Sequence, residues 1–337
     1  MNPFEKHRSS VFVICSPFQA LCTFATLRNL QIEDYEIIIM KGGIPARYEQ
    51  LIAFVKRHSL HYEEIKTSPK CILLSYIKAI LRKRSGYERL FIGDFRQPLF
   101  LRIGLCYVRD GASLVYLDDG AATVALLKDS YPISLKIRMT DFLNMMYKKM
   151  RGVDKEKNLY TIYDNIPNRK FNVKKNVLEN VILEKCENKV NSGIYIVGAV
   201  VELMSKIFAM SCASFLEEMQ EIIRSLKKDY PSERCYYIAH GRDDGTLTRP
   251  LCEKSDVAFI RPDMMVELYI AQLRECPKLI IGFNSSALYN IRQMMPQCKI
   301  LNFLIHSNET NSFIKEHESI AEYYRESGIE LVERVIE

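Results

Sequence analysis

Short apolar runs alternate with longer amphipathic segments through the first 120 residues. Runs with the length of β-strands lie at residues 10–15, 35–40, 89–93 and 113–117. Helical periodicity lies between them at residues 18–30, 47–58 and 98–108. Strands that alternate with helices of this length form a parallel sheet covered on both faces. The pattern therefore predicts an α/β unit at the start of the chain.

The alternation stops at about residue 128 and resumes at about residue 191. The residues between are rich in Lys, Asn and Met, which predicts an insertion over about 128–190 within a first lobe of residues 1–190. In a second lobe, 191–310, strands are predicted at residues 193–201, 234–239, 257–260, 279–282 and 299–304, with helices at 213–228, 264–275 and 286–295. A last segment, 311–337, predicts a helix at 312–327 that packs back on the first lobe.

Neither predicted lobe contains the GxGxxG sequence that a dinucleotide-binding dehydrogenase needs in its first βα turn. Two such lobes without these glycines fit the nucleotide-sugar transferases of the GT-B fold better. The fold prediction is therefore α/β and GT-B-like, with two Rossmann-like lobes and a cleft between them. The length of 337 residues agrees, because two domains of roughly 150 residues each are the default at this size.

The composition is that of a soluble globular protein, with 48% hydrophobic and 26% charged residues. These fractions exclude disordered and fibrous classes. We expect no signal peptide and no membrane span, because no uncharged apolar stretch reaches about 18 residues. The ten cysteines are scattered and form no CxxC pair, which favours a reduced, cytoplasmic location over a zinc or disulfide site.

Charge is distributed unevenly between the two halves. Residues 1–190 hold 31 Lys and Arg against 20 Asp and Glu, a net charge of +11, whereas residues 191–337 hold 16 against 21, a net charge of −5. The basic half predicts contact with an anionic surface or substrate, or else a solvated face with no partner. Its best patch comprises Lys78, Arg82, Lys83 and Arg84. Nucleic-acid binding is not expected, because the basic residues lack interleaved exposed aromatics.

Acidic residues follow two of the predicted strands. In open parallel sheets ligands bind beyond the carboxyl ends of the strands. Asp118 and Asp119 come after the strand at 113–117, where one carboxylate could act as a general base or orient a sugar hydroxyl. A helix N-cap followed by the turn residue Gly120 is the alternative. Glu202 comes after the strand at 193–201 and is either a second candidate base or an ordinary exposed acid.

Phosphate-binding candidates follow two strands of the second lobe. His240, Gly241 and Arg242 come after the strand at 234–239, where the imidazole can meet a phosphate or protonate a departing phosphate oxygen. Asn284, Ser285 and Ser286 open a predicted helix after residue 282, and they serve either as an anion site or simply as a helix cap. Walker A, HExxH, GxSxG and DxD sequences are absent, which argues against ATPases, metalloproteases, serine hydrolases and metal-dependent transferases of the other common fold.

In these residues and their order, the chain resembles the bacterial sialyltransferases, and most closely glycosyltransferase family 52, the lipooligosaccharide type. The similarity runs over most of the length, in the order of the family's motifs. Residues 14–21 (ICSPFQAL) are similar to its first strand and turn, 116–120 (YLDDG) to its acidic motif, 237–242 (YIAHGR) to its His-Pro motif and 283–288 (FNSSAL) to its serine motif. Gly241 stands where the family has proline.

The resemblance implies an inverting sialyltransferase that moves sialic acid from CMP-sialic acid to a terminal sugar, with galactose the first expectation. The acceptor would be a bacterial surface glycan such as lipopolysaccharide O-antigen, lipooligosaccharide or capsule, lipid-linked at the cytoplasmic face of the inner membrane. No metal or other cofactor is expected in the chemical step. His240, Ser285 and Ser286 would stabilise the CMP phosphate, with Gly241, Arg242 and Asn284 in the same donor site. Asp118, Asp119 or Glu202 would take the acceptor proton.

Two alternatives remain open from the sequence. One is a transferase of the same fold that uses another nucleotide sugar such as a UDP-hexose, because Gly241 leaves the histidine turn looser than proline would. The other is a catalytically silent, nucleotide-binding subunit of a glycan assembly complex.

Overall fold

A computed structural model describes residues 2–41, 45–66, 86–95, 97–128, 148–149, 152–153, 157–164, 166, 168, 170–178, 192–306 and 312–336. The chain divides into two compact units, Met1–Thr123 with Ile133–Val181, and Val124–Pro132 with Ile182–Glu337. The basic patch of Lys78, Arg82, Lys83 and Arg84 lies outside the described residues. Within them, no helix is long and apolar enough to cross a bilayer.

One parallel sheet forms the centre of the first unit. Its described strands are β1 (Ser10–Ile14), β2 (Tyr35–Lys41), β3 (Tyr62–Lys66), β4 (Tyr87–Ile92), β5 (Val108–Tyr116), β6 (Asn158–Thr161) and β7 (Asn172–Lys175). The helices are α1 (Pro17–Asn29), α2 (Pro45–Arg57), α3 (Pro98–Leu105) and α4 (Ala121–Leu127), which continues into the second unit. The strand order is β3-β2-β1-β4-β5-β6-β7, and every neighbouring pair is parallel.

The central strands of this sheet are buried on both faces. All five residues of β1 are buried, and Phe12 stacks on Phe91 of β4 with ring centroids 4.6 Å apart. Such continuous apolar runs are what a sheet covered by helices on both faces requires. The predicted strands at 10–15, 35–40, 89–93 and 113–117 are confirmed as parallel neighbours in one sheet.

Part of the expected insertion at 128–190 belongs to this sheet. Strands β6 and β7 extend it beyond β5, and Asn176 then folds the chain back onto α1. The buried Asn176 amide donates to the Cys22 carbonyl at 3.0 Å and accepts from the Asn29 amide at 3.0 Å. The sequence pattern did not predict these strands, because Asn158 and Thr161 limit the apolar run of β6 and all four residues of β7 are exposed.

A second parallel sheet forms the centre of the second unit. Its described strands are β8 (Ile194–Val197), β9 (Cys235–Ile238), β10 (Ala258–Ile260), β11 (Leu279–Gly282), β12 (Lys299–His306) and β13 (Glu330–Val335). The helices are α5 (Val201–Ile207), α6 (Cys212–Asp229), α7 (Thr248–Lys254), α8 (Val266–Ala271), α9 (Ser286–Met294) and α10 (Ser312–Glu326). The strand order is β10-β9-β8-β11-β12-β13, again with parallel neighbours.

The C-terminal segment completes this second sheet. Helix α10 packs on β12, β13 and α5 within the second unit, and β13 pairs along β12. The sequence pattern predicted the helix but no strand after it. Strand β13 lies at the edge of the sheet and contains three charged residues among its six, so it lacks the continuous apolar run of the central strands.

A buried arginine joins the N-terminal segment to the first sheet. The Arg89 side chain on β4 is fully buried and donates to the Glu5 carbonyl at 2.6 Å, the Arg8 carbonyl at 2.6 Å and the Ser10 hydroxyl at 3.0 Å. Burial, followed by the charge of Arg8, lowers the pKa of Arg89 to about 10. The guanidinium therefore stays charged at neutral pH and makes charge-assisted hydrogen bonds.

Replacing this arginine should destabilise the first unit. We expect Arg89→Met to lower the free energy of unfolding by about 3 kcal/mol, because three acceptors, two of them buried, lose their donor. Urea unfolding followed by circular dichroism measures the loss. Arg109→Met is the matched control, since its half-exposed ion pair with Glu88 should contribute about 0.5 kcal/mol. Equal losses in the two variants would contradict the assigned role.

Candidate active site

The first sheet has a switch point at the carboxyl ends of β1 and β4. Strands β2 and β3 lie on one side of β1, and β4 to β7 lie on the other. Connections leave in opposite directions at such a point and open a crevice in which ligands bind. The residues beyond these strands are Cys15 and Ser16 after β1, Gly93 after β4, and Asp118 and Asp119 one strand further after β5.

The two adjacent acids point into different environments. Asp118 is fully buried, accepts a hydrogen bond from the Thr161 hydroxyl, and accepts a second from the Ile162 N–H at 2.8 Å. Burial raises the pKa of Asp118 to about 7, against the lowering effect of its hydrogen bonds to Thr161, Ile162 and Thr123. The carboxyl therefore joins the end of β5 to the end of β6 inside the unit.

Asp119 is half-buried and lies beside the start of α1. Its Oδ1 accepts from Nε2 of Gln19 at 3.0 Å, and its backbone N–H donates to the Thr123 hydroxyl at 3.0 Å. The next residue, Gly120, has a φ of 65°, a left-handed conformation that suits glycine at the start of α4. Of the helix-cap and turn alternative considered for this motif, the glycine turn is present, next to the half-buried Asp119.

The second sheet has its own switch point, between β8 and β11. Strands β9 and β10 lie on one side of β8, and β11 to β13 lie on the other. His240 follows β9 and Ser285 follows β11, so both stand at the carboxyl edge on either side of β8. Adjacent strands are about 4.8 Å apart, so the chain positions after β9 and β11 are separated by roughly 10 Å.

His240 lies in a tight turn that fixes its ring. The Asp243 N–H donates to the His240 carbonyl at 2.8 Å, which closes a β-turn with Gly241 and the exposed Arg242 at its centre. The Arg242 N–H donates to Nδ1 of His240 at 3.1 Å. In the neutral imidazole the proton then resides on Nε2, where it can be donated to a phosphate oxygen.

A buried carboxylate holds this turn from inside the unit. Asp243 accepts from the Tyr237 hydroxyl at 3.0 Å, from the Gly245 N–H at 2.9 Å and from the Thr248 hydroxyl at 3.0 and 2.9 Å. These donors belong to β9, the loop and α7, so the carboxylate joins all three. Burial, together with the Asp243 charge, raises the pKa of Tyr237 well above its usual value, which keeps the hydroxyl a donor.

Ser285 and Ser286 form the start of α9. The Ser285 hydroxyl accepts from the Ala287 N–H at 3.3 Å and caps the helix, as the capping alternative predicted. Asn284 is buried with a φ of 50°, and its amide donates to the His317 carbonyl at 2.8 Å and accepts from Asn302 at 2.5 Å. The Asn284 side chain therefore bonds to other residues of the second unit. The two serines lie at the carboxyl edge of the sheet.

Glu202 is exposed in the first turn of α5, not at the end of a strand. Strand β8 ends at Val197, earlier than the sequence pattern predicted. Gly198 lies close against β9, where a Cβ would be 2.6 Å from the Ile238 carbonyl oxygen. Residues 198–200 then lead into the helix. The acid is available to solvent at the N-terminus of α5.

Two residues of these sites were missed from the sequence, Gln19 and Asp243. Gln19 lies in the 14–21 motif, and Asp243 directly follows the 237–242 motif. Their partners could not be identified without coordinates, because Gln19 meets Asp119 across 100 positions of sequence.

The architecture is similar to that of known glycosyltransferase structures. The chain superposes on the α/β-galactoside α-2,3-sialyltransferase of Photobacterium phosphoreum with a TM-score of 0.52 and 12% identity, covering 96% of this chain and 97% of that one. A sialyltransferase GT-B domain from Photobacterium damselae gives a TM-score of 0.49 at 10% identity, covering 96% of this chain and 99% of that one. An Anabaena protein in complex with UDP and glucose gives a TM-score of 0.49 at 10% identity, covering 96% of this chain and 91% of that one. No protein-family model and no curated protein matches the sequence.

At this level of identity the likeness to the Photobacterium phosphoreum enzyme establishes the fold. The chain is an α/β protein with two parallel sheets, as in the GT-B glycosyltransferases, and the predicted fold class is confirmed.

The raised pKa of Asp118 predicts a specific pH dependence of stability. Its value in the folded chain, about 7, lies above the unfolded value of 3.8, so the folded state binds the proton more tightly. This contribution to stability is present below about pH 4 and is lost as the pH rises toward 7. Asp118→Asn should remove it, so the variant gains stability relative to the wild type between pH 5 and 8, on the order of 1 kcal/mol per pH unit up to pH 7.

Urea unfolding at several pH values measures this difference. Asp110→Asn, at an exposed position of β5, controls for the loss of one negative charge and should follow the wild-type curve. Parallel curves for Asp118→Asn and the wild type would contradict the assignment.

Proposed function

We propose that the chain is an inverting glycosyltransferase that transfers sialic acid from CMP-sialic acid to a sugar of a bacterial surface glycan. The observation that carries the proposal is the edge of the second sheet, where His240 and the start of α9 flank β8 at a switch point. The sialyltransferase motifs seen in the sequence fall at these positions. The fold likeness to a sialyltransferase supports the same class of reaction.

The donor phosphate would lie between His240 and α9. As the bond from sialic acid to the CMP phosphate breaks, negative charge develops on the departing phosphate oxygen. The Nε2 proton of His240 is the group proposed to stabilise this oxygen or to be donated to it. Ser285, Ser286 and the backbone N–H groups at the start of α9 supply further donors, and the helix dipole favours an anion there.

The acceptor hydroxyl would lose its proton to Asp119. A base must reach the substrate, and the half-buried Asp119 does so better than Asp118, whose carboxyl is buried and bonded to Thr161 and Ile162. Glu202 remains the second candidate base because it is exposed at the N-terminus of α5. Direct attack of the acceptor on the sugar, with departure of CMP from the opposite face, gives inversion in a single displacement.

The acceptor is proposed to be lipid-linked, with galactose at its terminus. The net charge of +11 over residues 1–190 supports an encounter with the anionic pyrophosphate of a lipid carrier or with the cytoplasmic leaflet. Parallel assays with a soluble acceptor and the same glycan on a lipid carrier test this part separately from the chemistry.

Transfer assays with variants test the mechanism. The purified chain is incubated with CMP-sialic acid and a panel of galactose- and sialic-acid-terminated acceptors. We expect Asp119→Asn to lower kcat by about 10²–10⁴-fold with little change in CMP affinity, and Glu202→Gln to be mild. His240→Ala should be severe, because the developing charge on the phosphate loses its partner. The exposed His61→Ala is the matched control and should retain wild-type rates.

Each alternative gives a different result in the same assay. Transfer from a UDP-hexose but not from CMP-sialic acid would assign another donor, as Gly241 in place of proline allows. CMP binding without turnover for any donor would indicate a silent nucleotide-binding subunit. A severe effect of Glu202→Gln with a mild effect of Asp119→Asn would exchange the roles of the two acids. Near-normal transfer by His240→Ala would contradict the mechanism.

A further inference from the structure

The Gln19 side chain is held at both ends at the start of α1. It is fully buried, and its Oε1 accepts from the Cys15 N–H at 2.8 Å. An amide oxygen is required at that end because Cys15 offers a donor. The other end is therefore the NH₂ group, which donates from Nε2 to Oδ1 of Asp119 at 3.0 Å. The contact on Cys15 thus fixes which group of the amide faces the acid.

Gly93 leaves the space that this amide occupies. A Cβ at Gly93 would lie 2.7 Å from Oε1 and 2.8 Å from Cδ of Gln19. The Gly93 N–H donates to the Val13 carbonyl at 2.9 Å, so the backbone here is held by the sheet and cannot move away. Any side chain at this position would push the amide off its hydrogen bonds.

Helix capping alone does not account for glutamine at this position. Ser16 caps α1 by accepting from the Gln19 N–H at 3.2 Å. Residue 19 is the third of the helix, where Glu or Gln in a capping box would accept from the Ser16 N–H, but here the side chain accepts from Cys15 instead. Glutamate would accept from Cys15 equally well and would suit the helix dipole better. It would also place a second carboxylate against Asp119. The neutral amide is the choice that gives Asp119 a donor.

We propose that Gln19 is a positioning residue that orients the Asp119 carboxylate and favours its ionised form, and that Gly93 is required as glycine for Gln19 to do so. The inference rests on the proposed function only in so far as Asp119 is the base. With Oδ1 held by Gln19, one oxygen of the carboxylate is positioned before any substrate binds. A base oriented in advance loses less freedom when it accepts the proton.

Titration of the Asp119 carboxyl carbon by ¹³C NMR tests the contact without an activity assay. Gln19→Met keeps the length of the side chain and removes the donor, so the midpoint should rise by about one pH unit. Gln19→Glu keeps the acceptor for Cys15 and adds a like charge, so the midpoint should rise further. Gly93→Ala should raise it by displacing the amide. Ser16→Ala, which removes the cap of the same helix, is the matched control and should leave the midpoint unchanged.

The pH dependence of kcat/KM connects the contact to catalysis. In Gln19→Met and Gln19→Glu the acidic limb should move to higher pH in step with the NMR midpoints, and kcat should fall about tenfold or more while the KM for the donor stays constant. A loss of helix stability alone would not move the limb, and Ser16→Ala should show no such movement.

The two readouts separate failure of this inference from failure of the proposed function. Unchanged NMR midpoints in both Gln19→Met and Gln19→Glu would overturn the role of Gln19. Shifted midpoints with an unmoved acidic limb, or with no transferase activity in the wild type, would support the positioning contact and remove Asp119 from the role of base. Circular dichroism of each variant confirms that the chain is folded when the midpoints are measured.

Discussion

Parallel pairing of neighbouring strands is the constraint on which both candidate sites depend. Every strand of a parallel sheet ends at the same edge, so residues far apart in sequence come within one or two strand spacings of each other. In the first unit, this brings Gly93 after β4 and Asp118 after β5 to the same edge of the sheet as the end of β1. In the second unit, it brings His240 and Ser285 to either side of the end of β8. An antiparallel strand at any of these places would carry its residues to the opposite edge, about 17–20 Å away.

The fold could be predicted from the sequence where strands are buried on both faces. Strands such as β1 and β11 are continuous apolar runs, because helices cover both sides of each sheet. Strands β3, β7 and β13 were not predicted, since they stand at the sheet edges and are half or fully exposed. Charged residues at an edge prevent further pairing, and the same charges remove the pattern that identifies a strand.

The positions of the candidate site could also be predicted, but not the partners of its side chains. Asp118 turns inward to Thr161, whereas the next residue, Asp119, turns toward Gln19. From the sequence, the two neighbouring acids are interpreted as a pair with a shared role. In the structure, β6 packs beside β5 and engages Asp118, so the two carboxylates have different surroundings. Such a difference depends on contacts across 43 and 100 positions of chain, which no local pattern contains.

Hydrogen bonds, rather than the ring of a proline, hold the conformation of the His240 turn. Gly241 occupies the second position of the turn, where a proline would restrict φ in the folded and the unfolded chain alike. Here the restriction comes from the Asp243 carboxylate, which gathers Tyr237 and Thr248 only when β9 and α7 are in place. Opening of α7 would remove the Thr248 hydrogen bonds from Asp243, while the hydrogen bonds within the turn itself do not involve α7. The order of this loop therefore depends on the local packing of α7 against β9, in addition to the hydrogen bonds within the turn.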